Sequence, residues 1–268
     1  MKNLKEYIIE GIFDVEDNID NIDESIKEQI KQFLNDNFDG ASLCKISDKP
    51  NNDGKYEVSS SKNIIVINKK ITSLTNSMFI WTEVGGDFHC YDCRSLTSLK
   101  GAPEKVGGNF HCKRCDSLTS LKGAPENVGH SFYCEYCTSL TSLEGAPEKV
   151  GGSFNCVHCK SLTSLEGAPK KVSGVFNCCD CEPLSSLKGA PKEVGGDFYC
   201  SYCNSLTSLE GAPKEVGGVF YCDNCKSLTS LEGAPKEVGS SFGCGHCRVN
   251  FSEEDVKNIS NVKGNIFV

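Results

Sequence analysis

The chain has 268 residues, 38% hydrophobic and 9% aromatic, which allows one large domain or two small ones with a lean core. Its net charge of −8 argues against non-specific nucleic-acid binding, which needs a basic footprint. No run approaches the roughly 18 apolar residues of a membrane-spanning helix, and residues 1–20 are acidic and lack the apolar stretch expected of a secretory signal.

Residues 1–40 carry 4 Lys against 11 Asp and Glu, whereas the remainder is almost balanced at 24 basic and 25 acidic residues. That split predicts a separate acidic leader. Leu4, Tyr7, Ile8 and Ile12 share one helical face, and Ile26, Ile30, Phe33, Leu34 and Phe38 recur at helical spacings, so the leader is expected to be a short α-helical segment interrupted by the acidic run Asp14 to Glu24.

Residues 41–85 read as an N-terminal cap containing a degenerate copy of the unit that follows. In it Ile71 and Leu74 take the places of Leu96 and Leu99, Ile65 that of Cys90 and Asn68 that of Cys93.

Residues 86–247 hold the repeat itself. Phe88, Phe110, Phe132, Phe154, Phe176, Phe198, Phe220 and Phe242 are spaced by 22 residues without a slip. Each of the eight units keeps the Phe and a C-x-x-C pair, the first seven also keep two Leu, and most keep Gly-Ala-Pro and Val-Gly. One such unit cannot bury a core alone, but stacked units can, one layer per coil. Phe and the first Cys lie two residues apart, on one face of a strand. The second Cys, both Leu and the Val supply the other inward positions, and Gly and Pro are expected at the corners. The predicted fold is therefore a mainly β repeat solenoid, with a parallel sheet joining eight 22-residue coils.

Residues 248–268 read as a C-terminal cap. Ser252-Glu253-Glu254-Asp255 has the hydroxyl and the acids of a helix start. Val262 to Val268 then imitates Val238 to Cys244, with Ile266 for Phe242 and Val268 for Cys244.

The ladder cysteines admit three readings. Two C-x-x-C pairs separated by 18 residues match zinc-site spacing, with Cys90, Cys93, Cys112 and Cys115 as one ligand set. Reduced thiols packed as small hydrophobes are the plainer reading, and oxidised pairs are the third. The caps favour packing, because Ile65 and Val268 stand where a first Cys is missing. Cys44 and Cys179 lie outside the ladder. No metal or other cofactor is expected.

No catalytic constellation is present, and the chain is expected not to be an enzyme. His89, His111, His130, His158 and His246 occupy three different repeat positions, so no continuous His column forms. The residue between Phe and the first Cys must point outward. Down the stack it reads His89, His111, Tyr133, Asn155, Asn177, Tyr199 and Tyr221 before ending at Gly243. A neighbouring outward position holds Tyr136 and Tyr202. Tyr, His and Asn in these variable columns suit a protein partner bound on the exposed sheet face, with the tyrosine ring faces accessible.

Two resemblances add to this. F-x-C-x-x-C-x-S-L-T-S-L resembles the cysteine-containing leucine-rich repeat, and L-T-S-L-E-G-x-P-x-x-V-G-G is similar to repeats found in proteins of tailed bacteriophages. The likeness covers roughly residues 60–268 and implies a solenoid that binds something. Met1-Lys2-Asn3-Leu4-Lys5-Glu6-Tyr7-Ile8-Ile9-Glu10-Gly11 is similar to the capsid-targeting leader of internal head proteins in T-even-type phages. That resemblance implies cleavage after Glu10, with Ile8 and Gly11 as flanking determinants. Together they imply a phage protein in the host cytoplasm, packaged in or associated with the virion.

Overall fold

The computed structural model describes residues 19–268, with side chains from residue 22 onward. The processing residues Ile8, Glu10 and Gly11, and the first predicted helix, lie outside the described residues. Over the rest the chain is a parallel β-solenoid of about ten turns with 22-residue coils.

Each regular coil contributes two strands of two residues. One begins at the Phe, as in Phe154–Asn155, and the other ends at the Val, as in Lys171–Val172. Equivalent strands of successive coils pair in parallel without any shift of register, Phe132 with Phe154 and Val150 with Val172. The result is two eleven-stranded sheets around one core. The sequence predicted the sheet through the Phe column. The second arises because Val is β-branched and the glycines after it let neighbouring coils approach, so that Gly107 N–H donates to Val84 O at 2.8 Å.

In the central coil Phe154, Cys156, Cys159, Leu162, Leu165 and Val172 are all fully buried. The Phe rings stack along the solenoid axis with centroids 5.1–5.6 Å apart. The corner after the second Leu is a four-residue turn in which Ala168 N–H donates to Leu165 O at 2.9 Å, with Gly167 at φ +88°. That geometry has the positive φ at the third residue of a type II turn, where only glycine is unstrained. Pro169 is buried and follows this turn rather than standing at one of its four positions.

The N-terminal end is closed by the helix Ile19–Asn37. It buries Ile30 and Leu34 against the first coils. Tyr56 Oη donates to Asp23 Oδ1 at 2.6 Å, tying the helix to the second sheet. Phe38–Asp39 continues from the helix and pairs antiparallel with Ile64–Val66. The described helix thus covers the end of the acidic run, and Phe38 joins the strand rather than the helical face. Residues on both sides of position 40 share one core.

The cap register differs from the expected one by a residue. Ile64 pairs with Phe88 and Ile65 with His89, so Val66, fully buried, occupies the Cys90 slot and Ile65 faces outward, half-buried. A slip of one residue turns every side chain of a strand to the other face. Asn68 is exposed and donates to Asn37 Oδ1, so it does not stand in for buried Cys93.

The C-terminal cap follows the sequence closely. Ser252 and Asp255 form a reciprocal capping box at the start of the helix Glu253–Lys257. Val238 pairs with Val262 and Phe242 with Ile266. Val268 holds the place of a first cysteine in sequence but is 54% exposed, because no further coil covers it.

Candidate functional site: the outward columns beside the Phe sheet

The seven column residues His89, His111, Tyr133, Asn155, Asn177, Tyr199 and Tyr221 lie in consecutive register on the outer face of the Phe sheet. All are half-buried. Their spacing is that of adjacent strands, so flat rings in successive coils meet face to face. His89 and His111 stack at 4.5 Å, and His111 and Tyr133 at 4.6 Å. The expectation of open ring faces is therefore corrected where the column is aromatic. Faces are spent on neighbours, and edges and polar tips are presented outward. Tyr199 and Tyr221 pack edge to face at 5.8 Å, and Tyr199 Oη donates to Asp197 Oδ2 at 2.9 Å. Asn155 and Asn177 accept backbone N–H bonds from Val157 and Cys179, at 3.2 and 3.0 Å.

The five histidines occupy three repeat positions, yet two of them meet in the first two coils. Burial pushes both imidazoles below the usual histidine value, His111 to about 4, so the pair is neutral at pH 7.

Tyr136 and Tyr202 belong to a more prominent column, the second residue between the paired cysteines. They are 47% and 52% exposed. Tyr136 stacks on His158 at 4.6 Å. All eight residues of this column, from Asp92 to His246, have φ between 55° and 61°. This left-handed conformation costs a non-glycine side chain roughly 1–2 kcal/mol, least for Asn and Asp. Three positions hold Asp or Asn, but the other five hold Arg114, Tyr136, His158, Tyr202 and His246. Sequence reasoning missed this strain; the only signal was the Asp and Asn at three of the eight positions. Tyr202→Asn is expected to leave the melting temperature unchanged or raise it. A fall of several degrees would show that the Tyr202 ring holds the coil together.

The column between these two, which includes Lys113, Glu135, Cys179 and Ser201, is mostly half-buried or buried. Glu135 and Ser201 are buried, and Glu135 pairs with Lys113 at 3.0 Å. Further ion pairs link coils along the same edge, among them Arg114–Asp92 at 3.5 Å and Lys160–Asp180 at 2.8 Å.

The cysteines form a hydrogen-bonded ladder. Cys115 Sγ donates to Cys90 O at 3.1 Å, Cys137 to Cys112 O at 3.1 Å, and Cys159 to Cys134 O at 3.3 Å. The pattern continues to Cys247 with Cys222 O. From Cys115 onward each second thiol thus satisfies a carbonyl at the end of the preceding coil's Phe strand, which explains a thiol there rather than another small apolar group. In the N-terminal cap Lys69 Nζ does the same for Val66 O at 2.7 Å. Among the described residues no three cysteine sulfurs come within 4.8 Å of one another, which Cys90, Cys93, Cys112 and Cys115 would have to do to share an ion.

All eighteen thiols are free. Burial pushes Cys93 and Cys179 up to about 12 and Cys44 to about 11, so they stay protonated and poorly reactive at neutral pH. In the folded protein a thiol reagent is expected to titrate no more than Cys44, Cys179 and Cys247, the three that are not fully buried, and all eighteen only in denaturant. Rapid modification of ten or more of the eighteen in native buffer would contradict the ladder.

Comparison with protein-family models, with curated proteins and with solved structures gives no match to the chain. Among the described residues no helix is long and apolar enough to cross a membrane.

Proposed function

We propose that the chain is a non-enzymatic protein-binding solenoid of the cysteine-containing leucine-rich-repeat type. Its recognition surface is the outer face of the Phe sheet together with the left-handed column beside it. One observation carries the reading. Every coil repeats the same buried set, while the left-handed column holds Tyr, His and Arg where Asn or Gly would be less strained. Strain kept at exposed positions, coil after coil, is accounted for by what those side chains contact. Tyr136 and Tyr202 are the natural anchors, being large, rigid and open to solvent.

The phage-like repeats and the leader resemblance extend the proposal to its setting. The chain is a bacteriophage protein made in the host cytoplasm and carried in, or attached to, the virion head. Its partner is a protein; the acidic balance and the scarcity of unpaired cations on the face disfavour nucleic acid.

The test compares full-length wild type with Tyr136→Ala/Tyr202→Ala in capture experiments against virion and infected-cell proteins. The double variant is expected to lose one specific partner and to keep its melting temperature. Equal capture of that partner by Glu148→Ala/Lys170→Ala, altered on an exposed edge away from these columns, is the control. A Tyr136→Ala/Tyr202→Ala chain that binds normally would remove these columns from recognition.

A further inference from the structure

We propose that Asp87, His89 and His111 form a binding site for a single divalent transition-metal ion of the zinc or copper class. Among the described residues this is the only trio of His, Cys, Asp or Glu whose ligand atoms all lie within 4.8 Å of one another. It joins the first two regular coils at the outer face of the Phe sheet.

The placement follows from the repeat. An aspartate just before the Phe reaches the column residue just after it. Coil six shows the contact with a tyrosine, Tyr199 Oη to Asp197 Oδ2 at 2.9 Å. In the first coil the same offset sets His89 Nε2 3.6 Å from Asp87 Oδ2. The next coil adds His111 in register, its ring 4.5 Å from that of His89. A tetrahedral ion with bonds of about 2.0–2.2 Å needs its donors roughly 3.4 Å apart. The two rings lie within 15° of parallel in the stack, so they must turn apart for their in-plane lone pairs to converge on one ion.

The carboxylate is held for the purpose. Asp87 Oδ1 accepts Asn109 N–H at 2.6 Å and Asn109 Nδ2–H at 3.2 Å, which orients the group and leaves Oδ2 toward the histidines. His111 lies between His89 and Tyr133 in the stack.

The neighbouring charges select the ion. Lys69 and Lys113 stand close to the imidazoles, the first bonded to Val66 O and Tyr91 O, the second paired with Glu135. Two cations beside one carboxylate disfavour Ca²⁺ or Mg²⁺, which are held by oxygen charge. Two neutral imidazoles favour Zn²⁺ or Cu²⁺, which bond to nitrogen lone pairs. Three protein donors leave a fourth position open to water or an incoming ligand.

The site needs no partner and is read on the isolated chain, so its failure leaves the recognition surface untouched. Metal-stripped full-length protein, kept reduced, is titrated with Zn²⁺ by calorimetry and with Co²⁺ by absorption. One ion per chain is expected, with no sulfur-to-cobalt charge-transfer band. Asp87→Asn and His111→Asn should each weaken binding by about tenfold or more while the far-UV spectrum is unchanged. Undiminished binding in His89→Asn/His111→Asn, a thiolate band, or no binding by wild type overturns the proposal. Should a variant fail to fold, imidazole-ring NMR of the wild type with Zn²⁺ decides: stoichiometric shifts confined to two of the five histidines are expected, and their absence overturns the site.

Discussion

Phe154→Ala is expected to destabilise the solenoid by about 3–5 kcal/mol, the range for truncating a buried Phe. The ring is fully buried and stacks on Phe132 at 5.2 Å and on Phe176 at 5.6 Å. Its removal opens a cavity in the middle of the stack, and both neighbours lose a contact face. Rigid coils on either side have little freedom to collapse into the gap. Because stability in such arrays is carried between adjacent coils, the unfolding transition should also broaden or split around the lesion. Chemical denaturation followed by circular dichroism measures both effects. A loss under about 1 kcal/mol would mean that the Phe stack is not the core.

The second large effect is expected at a corner. Gly167→Ala should cost stability at the upper end of the roughly 1–3 kcal/mol associated with a non-glycine residue in left-handed backbone. Gly167 has φ +88°, and an added Cβ would lie 2.5 Å from both N and Cα of Glu144 in the preceding coil. Those atoms are backbone, so the coil itself must move. Lys170→Ala, which removes an exposed ammonium paired only with exposed Glu148 at 3.7 Å, should change the denaturation midpoint hardly at all. Equal midpoints for the two variants would show that the coils are not in close backbone contact at this corner.

The contrast between the two substitutions shows how differently core and corner were legible. The Phe, Cys, Leu and Val positions could be read from the period alone. A residue repeated at one phase of a 22-residue coil has the same surroundings in every coil, and an apolar side chain kept each time marks a buried environment. The glycine corners were legible for a similar reason, since few residues accept that conformation. Proline was less legible: Pro169 is buried and comes just after the four-residue turn rather than within it.

The candidate surface was legible in membership but not in character. Period two placed His89, His111, Tyr133, Tyr199 and Tyr221 outside, and they are on that face. That their rings would stack on one another depends on the spacing between coils, a distance between residues 22 apart. The register of the N-terminal cap also escaped. Ile64, Ile65 and Val66 are all apolar, so no alternation marks which of them faces the core; pairing with Phe88–His89 does.

By itself the sequence determined the coil length, the inward set and the two caps as places where the repeat decays, because these depend on chemistry repeated at fixed intervals. Only the tertiary structure decided the second sheet, the thiol-to-carbonyl ladder, the left-handed column and the meeting of Asp87, His89 and His111. Each of these is a relation between neighbouring coils. It rests on where one coil's backbone carbonyls, turns and rings fall against the next, and that geometry exists only once the coils are stacked.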